Sequence, residues 1–214
     1  MDFTIIGLIF FAIAVILSFV YKHKLAGSII RILPYFLLFD LLFDVVSLVL
    51  SRTGHYNVWL INQGLNIEKL FIFYIYYHLV RKKNYKKFIL FAALSYELFF
   101  IIHYIYSANW NIYQIVSFYI GDLFVIVTLM LFILEMMASD RILFIYKYVV
   151  FWVTVAFLLY VIIPFPIQIG FLLFPQDVDR KMAKFVMIIQ NTGNLMMYIS
   201  LIIGFIWGSM KYKS

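Results

Sequence analysis

Long apolar runs alternate with short polar segments along the whole chain. Each run holds about 18 to 25 residues, the length that an α-helix needs to cross roughly 30 Å of hydrocarbon. Because lipid offers no hydrogen bonds to unpaired backbone groups, open sheets are excluded and the runs are predicted to be helices. The predicted helices cover residues 3–21, 32–51, 58–80, 88–106, 112–137, 142–163 and 184–208. The pattern therefore predicts an all-α fold, a single seven-transmembrane-helix bundle over residues 1–214 without a soluble domain.

The composition agrees with this interpretation. Apolar residues make up 66% of the chain and charged residues 13%, whereas ordinary soluble domains are about 25% charged. A water-soluble fold of this length has too little polar surface to cover so many apolar side chains, so the predicted surroundings are a lipid bilayer. The first apolar run lacks a basic segment before it and a small-residue cleavage site after it. It is therefore predicted to be a retained helix rather than a signal peptide.

The basic residues predict the orientation of the helices, because they lie mainly in alternate connections. Most of them follow the first and third predicted helices, flank the start of the sixth or follow the seventh: Lys22, Lys24, Arg31, Arg81, Lys82, Lys83, Lys86, Lys87, Arg141, Lys147, Lys211 and Lys213. Since positively charged connections stay in the cytoplasm, the N-terminus is predicted outside and the C-terminus in the cytoplasm. The net charge of +7 therefore reflects topology, and no nucleic-acid partner is predicted.

Ionisable residues inside the predicted spans are the main functional signal. Five acids and one lysine lie at membrane depth: Asp40, Asp44, Glu68, Glu97, Asp122 and Lys69. Each acid at the bilayer centre costs about 2.5–3.5 kcal/mol, and one lysine cannot neutralise five of them. We expect the acids to be protonated, to line a hydrated cavity or to bind a cation. Glu135 lies near the cytoplasmic end of its helix, where its position favours snorkelling or pairing with Arg141.

Uncharged polar residues follow the same helices at helical spacing. The third predicted helix carries Asn62 and Asn66, and the seventh carries Asn191, Asn194 and Tyr198. These groups either bond neighbouring helices to each other or line a cavity in the outer half of the membrane. That cavity would be bounded by the third, fifth and seventh helices and roofed by residues 164–175. The predicted ligand-binding residues are Asp40, Asp44, Asn62, Asn66, Glu68, Lys69, Asp122, Asn191, Asn194 and Tyr198.

Known catalytic and metal-binding patterns give little support for an enzyme. The sequence has no cysteine, and no helix carries His-x-x-x-His or His-Glu-x-x-His, so zinc-dependent seven-helix hydrolases are disfavoured. The interior of the seventh helix has no lysine for a retinal Schiff base. Gly121-Asp122 resembles the Gly-Asp pair of lysoplasmalogenase-like membrane enzymes, which leaves an acid–base pair with Asp40 or Glu68 as a hypothesis. No metal, cofactor or catalytic residue is predicted.

Several short segments resemble one family. They are LPYFLL at 33–38, IE at 67–68 before the aromatic run 71–77, LEMM at 134–137, FW at 151–152, LLY at 158–160, NLMMY at 194–198 and GFIW at 204–207. Together they are similar to uncharacterised seven-helix integral membrane proteins of Bacteroidota, over most of the chain from Leu33 onward. The resemblance implies a bacterial inner-membrane location, and the frequent neighbourhood of such proteins to sensor kinases implies signalling. The acids Asp40 and Asp44 depart from the family pattern, which has one acid in that helix.

Three functions remain open from the sequence. The first is a receptor-like sensory or small-ligand-binding module, with a small polar or cationic ligand and a cytoplasmic or membrane signalling partner at residues 81–87. The second is a transporter of protons, cations or a small polar solute. The third is a membrane-embedded lipid-modifying enzyme. A receptor needs a pocket that opens to one side, a transporter needs access from both sides, and an enzyme needs two converging polar groups beside a lipid-accessible slot.

Overall fold

The described part of the chain is built from long helices. The computed structural model describes residues 3–55, 57–106, 114–138, 142–166, 169–170 and 180–208, and over these ranges it contains no β-strand. The long helices are α1 (Phe3–Val20), α2 (Leu33–Arg52), α3 (Val58–Leu79), α4 (Lys83–Tyr106), α5 (Ile115–Met137), α6 (Val149–Ile162) and α7 (Arg180–Trp207). The prediction of an all-helical chain is confirmed.

Helix boundaries differ from the predicted ones where polar residues continue a helix beyond its apolar run. The helix α4 begins at Lys83 and α7 at Arg180, each before its predicted start. At the start of α4 the Lys83 side chain is exposed, and a charged side chain that reaches water does not stop a helix. The sixth predicted helix is divided into a 3₁₀ segment, Ile142–Lys147, and α6. A non-helical residue within that segment, Phe144, interrupts the regular geometry.

Contacts between helices define a ring. The helix α1 packs against α2 and α7, α7 against α6, α6 against α5, α5 against α3, and α3 against α2. The remaining helix, α4, lies outside this ring and packs against α3 and α5. The upper end of the bundle is defined here as the end at which α3, α5 and α7 begin, and the lower end as the opposite one.

The lower half of the ring contains a dense aromatic and aliphatic core. Tyr76 and Phe132 are fully buried there, with ring centroids 5.2 Å apart in an edge-to-face arrangement. The Tyr76 hydroxyl donates a hydrogen bond of 2.8 Å to Thr154 Oγ1, which joins α3 to α6. At the lower end the Lys24 ammonium donates to the carbonyl oxygens of Phe205 and Ile206, at 2.8 and 3.1 Å. Because cations stabilise the carbonyl end of a helix, this contact holds the chain after α1 against the end of α7.

Outward-facing side chains are apolar, as expected for contact with lipid. On α4, for example, Phe91, Leu94 and Leu98 are each more than 60% exposed. Within the described residues four segments are long and apolar enough to cross a membrane, namely Ile29–Arg52, Lys83–Tyr106, Ile115–Met137 and Lys184–Trp207. Two further apolar helices, Ile5–Val20 and Val149–Ile162, are shorter. The chain therefore has the character of a membrane protein.

Candidate functional site

A cavity of about 630 Å³ lies between α2, α3, α5, α6 and α7. Its walls come from the upper and middle parts of these helices, and its polar lining residues are Asp40, Asp44, Ser47, Glu68, Lys69, Tyr119, Asp122, Tyr160, Gln190, Asn194 and Tyr198. Apolar residues such as Phe43 and Phe118 complete the walls. The volume falls within the range of small-molecule sites, about 300–1,000 Å³.

The wall formed by α2 carries two carboxylates on one face. Asp40 and Asp44 are four residues apart, so their side chains leave the helix in the same direction, and both line the cavity. One turn further up, the Asn57 side chain donates hydrogen bonds to the Ser47 carbonyl and hydroxyl oxygens at 2.8 and 3.0 Å. This contact joins the upper end of α2 to the residue that precedes α3. It therefore fixes the height of the two carboxylates relative to α3.

A buried ion pair joins α3 to α5. The Lys69 ammonium lies 2.6 Å from an Asp122 carboxylate oxygen, and both side chains are nearly enclosed. Gly121 makes room for the lysine, because a Cβ atom at that position would lie 2.6 Å from Lys69 Cδ and 2.6 Å from Tyr96 Cε2. The ammonium also lies 5.4 Å from the centroid of the Phe118 ring, a distance at which a cation is attracted to an aromatic face.

Glu68 belongs to a second group of carboxylates. The Tyr160 hydroxyl donates a 3.0 Å hydrogen bond to Glu68 Oε2, which joins α3 to α6. The charges of Glu68 and Asp44 act on Asp40, and that of Asp44 acts on Glu68, so the three carboxylates repel one another when ionised, while the Lys69 charge attracts Glu68. Among the described residues the ion pair in this wall is Lys69–Asp122, and no basic side chain lies within 4 Å of Asp40, Asp44 or Glu68. The cavity therefore holds more carboxyl groups than basic groups.

The Tyr198 side chain brings a hydroxyl group to the wall of the cavity. Its ring stacks on Phe11 of α1 at a centroid distance of 4.5 Å, and the residue is only 4% exposed. Within the described part of the chain its hydroxyl forms no hydrogen bond, although the residue lines the cavity and lies within electrostatic range of Asp44 and Asp40. A buried hydroxyl normally has a partner. This one is positioned to bond a molecule in the cavity.

Seven of the ten predicted site residues line the cavity: Asp40, Asp44, Glu68, Lys69, Asp122, Asn194 and Tyr198. The structure brings these side chains together from four helices, as predicted from their common depth. Whether they bind a ligand stays a prediction. The predicted cavity was bounded by the third, fifth and seventh helices, whereas its walls also include α2 and α6. Residues 167, 168 and 171–175 of the predicted roof lie outside the described residues.

Asn62, Asn66 and Asn191 do not line this cavity, and a ligand-binding role for them stays a prediction. Asn62 is fully buried, and its side-chain oxygen accepts a hydrogen bond of 3.2 Å from the Gln114 backbone at the start of α5. Asn66 is also buried and lies one turn further along the same stripe of α3. Lys69 lies on the same stripe, but its longer side chain reaches the cavity, whereas Asn62 and Asn66 do not line it. Contacts between helices therefore explain Asn62 better than ligand binding does.

Four polar residues that line the cavity were not among the predicted site residues, namely Ser47, Tyr119, Tyr160 and Gln190. Tyr160 is the most informative, because it bonds Glu68 directly. Tyrosines are common at membrane interfaces, so a single tyrosine near a helix end gives no signal of a site. The one available indication was the depth of Tyr160, because this residue on α6 lies level with Glu68 on the antiparallel helix α3.

Two acids outside the cavity have different surroundings. Glu135 accepts hydrogen bonds from the backbone N–H groups of Arg81 and Lys82, at 2.7 and 3.2 Å. It therefore holds the connection between α3 and α4 at the lower end, a role that the predicted snorkelling did not include, while Arg141 lies outside the described residues. Glu97 on α4 is half-buried outside the ring and does not line the cavity.

The carboxylates of the cavity are more widely separated than the ligands of a metal site. Among the described residues, no three His, Cys, Asp or Glu side chains are grouped closely enough to hold a metal ion. The cavity acids are instead distributed over α2, α3 and α5. Their arrangement suits a ligand that extends across the cavity and meets several of them in turn.

Comparison of the chain with protein-family models, with curated proteins and with solved structures gives no match. The resemblance to the Bacteroidota membrane proteins therefore stays a prediction, and the function is argued from the cavity.

Proposed function

We propose that the chain is a seven-helix bacterial inner-membrane protein, with its N-terminus outside and its C-terminus in the cytoplasm, that binds a small polar ligand as a receptor-like sensory module. The observation that carries this proposal is the contrast between an open, acid-lined upper cavity and a packed lower half. In this orientation the upper end of the bundle faces the outside.

The one-sided form of the cavity favours binding over passage. Its floor lies at mid-bundle, near Asp40 and Glu68. Below this level Tyr76, Phe132 and Phe205 are fully buried. A transporter needs access from both sides of the membrane, whereas a receptor needs a pocket on one side. The packed lower half supports the second arrangement.

The lower end offers a surface for a signalling partner. Residues 81–87 contain five basic side chains, and those of Arg81, Lys82 and Lys83 are exposed. Glu135 fixes the backbone at the start of this segment. A basic surface that is held in place and joined to the cavity through α3 is suited to contact an acidic partner in the cytoplasm.

Transport of protons or cations is the second candidate, and one observation favours it. The carboxylates of Asp40, Asp44 and Glu68 lie near mid-bundle without a basic partner among the described residues. Intramembrane acids commonly mark ion and proton pathways. A change that opened the lower half would convert the pocket into such a pathway. Nothing specific favours the enzyme alternative, because the contacts between polar side chains in the cavity, Tyr160 with Glu68 and Lys69 with Asp122, join helices to one another.

Reporter fusions test the proposed topology. A reporter that is active only in the cytoplasm should be active when fused after Lys87 and inactive when fused after Ala108. A reporter that is active only outside should give the reverse result. The same activity at both positions would contradict the proposed arrangement of spans.

Single cysteines separate the receptor from the transporter, because the natural chain has no cysteine that would react in the background. Ser47→Cys places a thiol in the cavity wall, and Val46→Cys places one on the outward face of the same helix turn. A membrane-impermeant cationic thiol reagent should label Ser47→Cys from outside only and should not label Val46→Cys. Labelling of Ser47→Cys from both sides would contradict a receptor and support transport.

A further inference from the structure

We infer that the ligand of the cavity is an organic cation with at least two amino groups on an aliphatic chain, a short diamine or polyamine. This inference rests on the proposed function, since it names the class of molecule that the binding site takes. Four features of the cavity carry it: its charge, the spacing of its carboxylates, its apolar walls and the free hydroxyl of Tyr198.

When the carboxyl groups of the cavity are ionised, more than one positive charge is needed to balance them. Four carboxylates line the walls, and one of them, Asp122, is already paired with Lys69. Asp40, Asp44 and Glu68 are left without a basic partner among the described residues. In a site largely shielded from water, unpaired charges of one sign are costly. A ligand with a single charge leaves part of this excess uncompensated, whereas a diamine compensates two carboxylates.

The spacing of the carboxylates matches separated amino groups. Asp40 and Asp44 are one turn apart on α2, a rise of about 6 Å. Glu68 approaches the same region from α3 and is near enough for its charge to act on Asp40. Amino groups at the two ends of a short aliphatic chain can each meet a different carboxylate across such a distance. A compact ion meets fewer of them at once.

The walls between the carboxylates suit the chain of such a molecule. Phe43, Leu65, Phe118, Val161 and Met197 line the cavity together with the acids. Methylene groups that lie against these side chains leave water, which favours binding. Aromatic faces such as that of Phe118 also attract cations. A cation without methylene groups would bury no apolar surface against these walls.

The Tyr198 hydroxyl supplies a hydrogen-bond acceptor for one amino group. It has no partner among the described residues and lies near Asp44, at the same wall. An ammonium group has three donors. Asp44 and Tyr198 can therefore accept two hydrogen bonds from one amino group, which places one end of the ligand between Asp44 on α2 and Tyr198 on α7.

Binding of simple amines to the full chain tests the inference. The protein is held in nanodiscs of a zwitterionic lipid, and heats of binding are measured for 1,4-diaminobutane, 1-aminobutane and magnesium chloride at equal ionic strength. We expect 1,4-diaminobutane to bind about tenfold more tightly than 1-aminobutane, because it gains a second charge-assisted contact. Equal binding of the two amines, tighter binding of magnesium, or no binding of any of the three would overturn the inference.

A pair of acid variants locates the binding. In Asp44→Asn the tenfold preference for the diamine should fall to about twofold or less, while Glu97→Gln, an acid at similar depth outside the cavity, should keep it. If Asp44→Asn fails to fold, Tyr198→Phe removes only the hydroxyl and should weaken binding of the diamine a few-fold. Equal losses in Glu97→Gln and in the cavity variants would overturn the assignment of the site.

This test is independent of the test of the receptor function. If Ser47→Cys is labelled from outside only and the diamine does not bind, the ligand class is wrong and the one-sided binding module stands. If the diamine binds with the expected preference and Ser47→Cys is labelled from both sides, the ligand class stands and the receptor function is replaced by transport.

Discussion

The upper and lower halves of the bundle differ in how their carboxylates are paired. In the lower half Glu135 accepts hydrogen bonds from two backbone amides, and other buried groups also have protein partners: Tyr76 bonds Thr154, and Lys24 bonds the end of α7. In the upper half Asp40 and Asp44 face open space instead. The same apolar surroundings penalise an unpaired polar group in both places.

This difference indicates a structural role for the polar groups of the lower half and a binding role for the carboxylates of the upper half. Paired polar groups join helices and fix their relative heights, which a bundle in lipid needs because lipid and side chains are equally apolar. Unpaired carboxylates contribute nothing of that kind and reduce stability. The presence of the unpaired Asp40 and Asp44 in the upper half therefore favours a binding site in which a ligand supplies the missing partners. Four comparisons between variants, taken from the largest expected effect on stability to the smallest, test this account of the bundle.

The largest expected effect is the loss of packing in the lower half. Phe205→Ala removes a fully buried ring and should lower the free energy of unfolding by about 3–5 kcal/mol. Phe43→Ala removes a ring that already borders the cavity, and it should cost clearly less because no new void is enclosed. Unfolding in mixed micelles, followed by circular dichroism, measures both. Equal losses would contradict the contrast in packing.

The buried ion pair should show the next largest effect. Asp122→Asn leaves the Lys69 ammonium buried without its partner, which should destabilise the bundle by about 3 kcal/mol. Replacing both residues by apolar ones, Lys69→Met with Asp122→Leu, removes the unpaired charge and should recover most of that loss. If the double variant is less stable than Asp122→Asn, the ion pair is needed for more than charge balance.

Close packing at Gly121 should give a moderate effect. In Gly121→Ala the new Cβ would meet the Tyr96 ring and the Lys69 side chain, so the unfolding free energy should fall by about 1–3 kcal/mol. Gly7→Ala on α1 is the matched control, because its Cβ would meet nothing within 4 Å. That variant should be neutral or slightly stabilising, since alanine favours a helix by about 1 kcal/mol over glycine. Equal effects of the two would show that Gly121 does not set the spacing of α3 and α5.

The smallest expected effect compares two tyrosine hydroxyls. Tyr76→Phe removes the hydrogen bond to Thr154 and should cost about 0.6–1 kcal/mol. Tyr198→Phe removes a hydroxyl that has no partner among the described residues, so the stability without ligand should not change. A loss in Tyr198→Phe as large as that in Tyr76→Phe would show that this hydroxyl is part of the scaffold.

Sequence alone predicted the elements and the depth of the charges, because both depend on local pattern. Apolar runs of membrane length predicted the helices, and the four-residue spacing of Asp40 and Asp44 predicted their common face. The rotation of each helix about its axis did not follow from pattern. Asn62 and Lys69 share one polar stripe of α3, yet only Lys69 lines the cavity, so contacts with neighbouring helices decide which residues face it.

Contacts between helices were the least predictable part of the site. The pairing of Lys69 with Asp122 depends on the close approach that Gly121 allows, yet a glycine also occurs in helices at positions that no neighbouring side chain approaches. The hydrogen bond from Tyr160 to Glu68 joins residues 92 positions apart. Such contacts depend on the order of helices around the ring, which apolar periodicity leaves open.

The central claim is that the upper half holds an acid-lined cavity that is accessible from the outer side and that the lower half is closed. Ser47→Cys and Ser18→Cys form a matched pair for this test, because Ser47 lines the cavity and Ser18 is fully buried near the lower end of α1. Each variant is treated in sealed vesicles of both orientations with a cationic and an anionic thiol reagent, and the labelling rates are compared. Ser47→Cys should react from the outer side, faster with the cationic reagent, and Ser18→Cys should react with neither reagent from either side. Comparable labelling of Ser18→Cys, or a faster reaction of Ser47→Cys with the anionic reagent, would contradict the account.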